Sequence, residues 1–236
     1  MDKPLRKLVI VPAYNEAQSI AALTDELSQH LSDYDLLIIN DGSTDNTSQH
    51  VPDSVRVVSL PFNLGIGAAM QAGYRYAAIH GYDVAVQVDG DGQHPPGQVP
   101  HLVEHLRASE ADLVIGSRFL EPGQYNQSAM RAGGTYVLRT VLGLLTGKQF
   151  TDCTSGFRAA NRCVIHAFAQ WYPDDYPEPE VILLLHRAGY RIEEVPVHMN
   201  QRVTGKTSIP HLYGLFYVIK VCFALLLDMI RQPWRT

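Results

Sequence analysis

Two carboxylates one residue apart, Asp89 and Asp91, sit in the stretch Ala85-Val86-Gln87-Val88-Asp89-Gly90-Asp91-Gly92-Gln93-His94. The apolar, β-branched run ahead of them reads as a buried strand that stops at the first carboxylate. Gly90 and Gly92 remove side-chain bulk, so Asp89, Asp91 and the Gln93 amide can converge on one point. Oxygen donors on a loop suit a hard divalent cation, Mg²⁺ or Mn²⁺, which would in turn hold phosphate oxygens. An acidic, glycine-rich surface turn is the plainer alternative for Asp-Gly-Asp taken alone.

The elements that must position this loop follow a repeating pattern. Leu8 to Pro12, Leu36 to Ile39, Val55 to Leu60 and Asp112 to Gly116 read as further strands. Asn15 can cap a helix whose apolar positions Ile20, Leu23, Leu27 and Leu31 recur at spacings of three and four. Ser43 or Thr44 can cap a short helix after the second strand, and Asn63-Leu64-Gly65-Ile66-Gly67 leads into a helix running to about His80. Pro95 and Pro96 open another, with Val99, Leu102, Val103 and Leu106 on one face. Strands alternating with helices predict an α/β fold, a mostly parallel sheet covered on both faces. Ligands of such sheets bind outside the carboxyl ends of the strands.

Beyond Phe119 the expected order is a helix from Arg131 to Thr146, loop and strand over Phe150 to Ala159, and a proline-rich acidic loop from Tyr172 to Glu180. A helix over Val181 to Ala188 and a strand over Arg191 to Val197 follow. The segment His211 to Arg231 reads as an apolar helix interrupted by Lys220 and Asp228, with charge-free runs well short of the ~20 residues of a membrane span. It could lie on a membrane surface, pack on another subunit, or close the core. The expected organisation is a catalytic domain over 1–210 and this helix over 211–236.

A chain of 236 residues, 46% apolar and 18% charged, can bury a large core. Its formal charge of −5, from 19 basic and 24 acidic residues, offers no general pull toward nucleic acid, so phosphate must be held by local arginines or a metal. Cys153, Cys163 and Cys222 are odd in number and lack metal-ligand spacing, which fits a reducing compartment. Met1 to Lys7 leads straight into a strand-like run rather than a leader.

Tyr14, Asn15 and Glu16, then Asp41 and Asp45, Asp89 and Asp91, and Arg118 all fall at the ends of strands on one sheet edge. Carboxylates there suit ribose hydroxyls, base donors and a metal, while Arg118 suits phosphate. The motifs Val11-Pro12-Ala13-Tyr14-Asn15-Glu16, Asn40-Asp41-Gly42-Ser43-Thr44-Asp45, Asn63-Leu64-Gly65, Asp89 to His94, Gly116-Ser117-Arg118-Phe119 and Asp152-Cys153-Thr154-Ser155-Gly156-Phe157-Arg158 together resemble the inverting nucleotide-sugar glycosyltransferases of family 2, with the GT-A fold. The closest likeness within that family is to the polyprenyl-phosphate branch, the dolichyl-phosphate mannosyltransferase type.

The resemblance implies that Pro12, Tyr14, Glu16 and Asp41, with Asn63, Gly65 and Asp89, line the nucleotide site of a UDP- or GDP-sugar. It implies that Asp89, Asp91 and Gln93 hold the metal on the diphosphate, and that Arg118 and Arg131 face the acceptor phosphate. Arg202 to Ser208 resembles the branch's mobile Arg-x-x-Gly-x-Ser loop, with Arg202, Lys206 and Ser208 closing over the donor. The implied partners are a nucleotide sugar, a polyprenyl phosphate or lipid-linked glycan acceptor, the inner face of a membrane as a peripheral support, and a possible second copy of the chain. A sugar-hydroxyl acceptor would need a base. Glu178 or Glu180 stands where hydroxyl-acceptor members place one, although Glu180 also suits the first turn of a helix as a dipole partner.

Other classes fit less well. Gly205-Lys206-Thr207 lacks the glycine that a phosphate-binding P-loop requires at position 200, which is Asn200. Gly65-Ile66-Gly67 has Met70 where a dinucleotide fingerprint needs its third glycine. A non-catalytic sugar-binding module would have little use for paired metal carboxylates and arginines.

Overall fold

The computed structural model describes residues 4–121, 129–200 and 214–230, and the side chains of all of these except 129–131 and 214–215. Its sheet has seven strands, β1 (Lys7–Ala13), β2 (Asp35–Asn40), β3 (Arg56–Ser59), β4 (Val84–Gln87), β5 (Leu113–Ser117), β6 (Arg158–Asn161) and β7 (Ile192–Pro196). They lie in the order β3-β2-β1-β4-β6-β5-β7. Every neighbouring pair is parallel except the two made by β6, which runs against β4 and β5. The expected α/β sheet is therefore present, with β1, β2, β4 and β5 pointing the same way and their carboxyl ends on one edge. The amino end of the reversed β6 arrives at that same edge.

The strand sequences explain the layering. Along β1, Leu8 and Ile10 face one core while Val9 and Val11 face the other, the period-two alternation of a sheet buried on both sides. One face is covered by α1 (Ile20–His30) and α3 (Val99–Ala108). The other carries α2 (Ile66–Ile79), α4 (Ala129–Thr146), α5 (Arg162–Gln170), α6 (Pro177–Arg187) and α7 (Gly214–Asp228). Val221 and Leu225 of α7 are fully buried in that second core.

Three local expectations are corrected. Asn15 does not cap α1; it takes a left-handed φ of 57°, and its Oδ1 is occupied by the amides of Thr44 and Asp45. The helix starts later, at Ile20, with no side-chain cap from Ser19. Neither Ser43 nor Thr44 caps the turn after β2, where Asp45 Oδ1 accepts instead from the Thr47 amide at 2.9 Å. The proline-rich stretch is half helix, because Pro177 lacks only an N–H that a helix start leaves unpaired, so α6 opens there rather than at Val181. Helix α5 had no place in the sequence reading; Asn161 caps it through the Val164 amide at 3.0 Å.

Two glycines let α2 reach its neighbours. A Cβ on Gly67 would stand 2.1 Å from the Pro173 carbonyl oxygen, and one on Gly73 would stand 2.4 Å from Ile10 Cγ2. Gly133 in α4 has open space around it. Gly67→Ala is therefore expected to destabilise the fold by roughly 1–3 kcal/mol through overpacking against backbone. Gly133→Ala should stabilise it by up to about 1 kcal/mol through helix propensity. Denaturant melts of the two variants check this, and equal effects would contradict the close approach at Gly67.

Candidate active site at the carboxyl edge of the sheet

The first two loops at this edge are laced together. Besides the two amides it accepts from, Asn15 donates its own N–H to Ser43 Oγ at 3.0 Å, and Glu16 donates its N–H to Thr47 Oγ1 at 2.9 Å. Asp41 is buried and accepts from the amides of Leu64 and Gly65 at 2.8 and 2.9 Å. It thus fixes the third loop, including the exposed Asn63, against the second. Gly42 must be glycine here, since its φ is +64° and a Cβ would lie 2.3 Å from the Phe62 backbone. Pro12 is buried at the end of β1, and Tyr14 stays exposed beyond it.

Ser19 joins this pair of loops to the carboxylate loop. Its hydroxyl lies 2.7 Å from Glu16 Oε2 and 3.1 Å from the Gly90 carbonyl. Asp89 is held on three sides: Gln87 Nε2 donates to Oδ1 at 3.2 Å, His94 lies against Oδ2 at 3.5 Å, and Gly156 comes so near that a Cβ on it would stand 2.9 and 3.0 Å from the two oxygens. The His94 Nδ1 accepts the Asp89 N–H at 2.9 Å, so its proton sits on Nε2, toward the carboxylate. The His94 ring stacks on Phe157 at 4.8 Å. Asp91 is buried, and its Oδ1 accepts the Gln93 N–H at 3.1 Å across the turn made by Gly92 at φ +74°.

No group of three or more His, Cys, Asp or Glu side chains among the described residues could enclose an ion. Two carboxylates and an amide on one turn are nevertheless what a magnesium-like ion needs when a substrate's phosphates complete its shell. Asp89, Asp91 and Gln93 could hold such an ion in that way.

Arg118 lies past the carboxylates at the end of β5. Asp152, fully buried, grips it with two bonds, Nε to Oδ2 at 2.6 Å and Nη2 to Oδ1 at 2.8 Å, while Nη2 also reaches Thr154 Oγ1 at 3.0 Å. Glu194 of β7 holds this acid's backbone in turn, accepting the amides of Thr151 and Asp152 at 2.7 and 2.8 Å. The fork of Arg118 is therefore held in one orientation by Asp152 at this edge. Arg131 is in the first turn of α4, and its side chain is not described. Arg202, Lys206 and Ser208 lie outside the described residues.

Glu178 and Glu180 share the first turn of α6 but face different surroundings. Burial pushes the Glu178 carboxyl up, Arg158 and its own backbone hydrogen bond pull it down, Asp89 raises it and Arg118 lowers it, so it looks into the site. Glu180 instead acts on the ammonium of Lys220, which is raised first by its bond to Asp175. Arg158 is fully buried beneath Glu178, with Nε on the Ser155 carbonyl at 2.7 Å and Nη2 on the Glu178 carbonyl at 2.9 Å. Its Nη1 has no partner among the described residues. Cys153 is not a nucleophile, because burial and then Asp152 push its thiol up to about 12.

Sequence reasoning did not single out Asp152, Arg158, His94 or Glu194 as supports. Asp152, Arg158 and His94 lie within recognised motifs, which mark them as motif members rather than supports, while Glu194 lies in a plain strand and reaches Thr151 and Asp152 from 43 and 42 residues away, which no spacing signals.

Because the Glu178 carboxyl is raised on folding, it binds its proton more tightly folded than unfolded. Its contribution favours the fold at low pH and is lost as pH rises from the ordinary carboxylate range through the raised value. Relative to the unaltered chain, Glu178→Gln should therefore gain thermal stability as pH goes from about 4 to about 7. Melting curves across that range check this, and a difference independent of pH would contradict the burial.

A family described as glycosyl transferase family 2 matches residues 8–168. The undecaprenyl-phosphate mannosyltransferase of Micrococcus luteus is 32% identical over 222 residues, covering 87% of this chain and 88% of that protein. The polyprenol monophosphomannose synthase of Mycolicibacterium smegmatis is 31% identical over 215 residues, covering 86% and 81%. Glucosyl-3-phosphoglycerate synthase of Mycobacterium tuberculosis, solved with Mn²⁺, UDP and phosphoglyceric acid, superposes with a TM-score of 0.71 at 25% identity over 95% of this chain and 78% of that one. The same enzyme was also solved with Mg²⁺ and UDP. With the GT-A sheet in place and the family matched over more than half of its length, this chain belongs to glycosyl transferase family 2 and is a glycosyltransferase.

Proposed function

We propose that this glycosyltransferase moves a hexose from a UDP- or GDP-sugar to a polyprenyl phosphate, with inversion at the anomeric carbon. The observation that carries the reading is Arg118, locked by Asp152 at the same edge as Asp89 and Asp91 yet beyond them, where a second anion would stand. The names of two relatives, an undecaprenyl-phosphate mannosyltransferase and a polyprenol monophosphomannose synthase, support a lipid phosphate as that anion.

The acceptor oxygen forms a bond to the anomeric carbon as the bond to the diphosphate oxygen breaks, and the electron pair leaves on the nucleoside diphosphate. A phosphate acceptor is already an anion, so no residue has to take a proton. Mg²⁺ or Mn²⁺ would neutralise the charge of the departing diphosphate, held by Asp89, Asp91 and Gln93. Pro12, Tyr14, Glu16, Asp41, Asn63 and Gly65 surround the nucleotide. Arg118 and Arg131 orient the acceptor phosphate, and Arg202, Lys206 and Ser208 belong to the loop over the donor. Residues 1–210 carry this chemistry, with 211–236 as a contact helix for a membrane's inner face.

A second reading is favoured by Glu178, whose raised carboxyl lies within reach of the charges of Asp89 and Arg118. Such a group suits a general base for a sugar hydroxyl. Glu180, the other candidate, sits by Lys220.

Labelled UDP- and GDP-sugars incubated with undecaprenyl phosphate and Mn²⁺ or Mg²⁺ test both. The proposal expects acid-labile labelled lipid, transfer in Asp91→Asn lower by about 10²-fold or more, and Glu178→Gln within a few-fold of the unaltered chain. Turnover that ignores the lipid phosphate and collapses in Glu178→Gln would favour the hydroxyl acceptor instead.

A further inference from the structure

Gly156 differs from the other glycines at this edge of the sheet. Its φ is not positive, unlike those of Gly42, Gly65 and Gly92, so alanine would suit its backbone and only space forbids a side chain. A Cβ here would stand 2.8 Å from Gln87 Nε2, 2.9 Å from Asp89 Oδ1 and 3.0 Å from Asp89 Oδ2, inside ordinary contact distance. All three atoms are the ends of side chains. At Gly67 the atoms met are backbone, which moves only with its loop.

The chain at Gly156 is pinned on both sides. The Ser155 carbonyl before it accepts Arg158 Nε at 2.7 Å, and the Phe157 N–H after it is donated to Ser155 Oγ at 3.2 Å. The Phe157 carbonyl accepts the Gly116 N–H at 2.8 Å, and Arg158, fully buried, reaches the Glu178 carbonyl with Nη2 at 2.9 Å. This run is thereby bolted to β5 on one side and to α6 on the other. Asp89, in contrast, keeps 37% of its side chain exposed, and the side left free is the one that Gln87, His94 and Gly156 do not cover. A side chain at position 156 would therefore turn the carboxylate out of its box and leave the backbone where it is.

We propose that Gly156 is the positioning residue of the Asp89 carboxylate: the space it leaves sets the angle and depth at which Asp89 meets a divalent cation on the diphosphate of the donor. This rests on the reading of Asp89 as a metal-holding residue. Groups that orient a ligating side chain change metal affinity by roughly 10- to 100-fold without touching the ion. The same run of chain carries Asp152, which grips Arg118, and Phe157, whose ring stacks on His94 at 4.8 Å. One short segment thus orients both the carboxylate and the guanidinium.

Gly156→Ala, compared with Asp89→Asn, tests this. Isothermal titration with the Mn²⁺ complexes of UDP and GDP should give Gly156→Ala a Kd about tenfold or more above that of the unaltered chain for the complex it binds. In transfer assays the Mn²⁺ concentration at half-maximal rate should rise by a similar factor, while the rate at saturating Mn²⁺ stays within a few-fold. The melting temperature without metal should stay within about 3 °C, because only side-chain ends have to move. A general structural role for the glycine would move the melting temperature and leave the Mn²⁺ dependence alone. Asp89→Asn should weaken the same complex at least as much, and that variant tests the metal reading itself. Unchanged Mn²⁺ dependence in Gly156→Ala beside its loss in Asp89→Asn would overturn the positioning role and leave the metal reading standing. No binding by the unaltered chain, or equal binding by Asp89→Asn, would overturn both. A Gly156→Ala chain that does not fold would also overturn the proposal, since the glycine would then serve the backbone.

Discussion

Asp152 has no exposed surface, and a buried carboxylate is tolerated only when it is paired and fully hydrogen-bonded. That single requirement organises the β5 side of the site. Pairing it takes the fork of Arg118 from the end of β5, and placing its backbone takes Glu194 from β7. Strands remote in sequence are thereby tied at the same edge, and the guanidinium is held before any ligand arrives. A pre-set cation is worth more than a mobile one, because it loses little freedom on binding phosphate.

The side of β1, β2 and β4 obeys the same logic with weaker forces. Asp89 is fixed by an amide, an imidazole and a glycine backbone, and Asn15, Asp41 and Ser19 close the loops around it through main-chain bonds. Between the halves lies Glu178, raised by burial beside the fully buried Arg158. Catalysis needs groups already aimed where charge develops, and here neighbouring loops do the aiming.

Much of this was legible in the residues. Alternating apolar runs with helical spacing between them showed the parallel sheet, and the carboxylates at strand ends showed which edge mattered. What was not legible depends on distance in space. Asn15 looked like a helix cap because local spacing cannot show that a second loop, 29 and 30 residues on, consumes its side chain. Helix α5 was hidden because its short apolar face lies close to a strand and a proline-rich turn. Nothing in the spacing of Glu178 and Glu180 could tell which faces the site, since they differ by a rotation that only the packing of α6 sets. The reversed β6, which brings Arg158 and Gly156 under Asp89, leaves no local mark at all.

The most direct test of the account is whether Arg118 serves the acceptor alone. Substituting Arg118→Gln together with Asp152→Asn removes both charges and avoids leaving a buried carboxylate unpaired. If the structure has been read correctly, KM for the lipid phosphate rises by about tenfold or more, the scale of a lost charge-assisted hydrogen bond. The Kd for the free nucleoside diphosphate with metal should stay within about twofold of the unaltered value, a change too small for a lost bond. A parallel loss of nucleotide affinity, or no change in either constant, would contradict it.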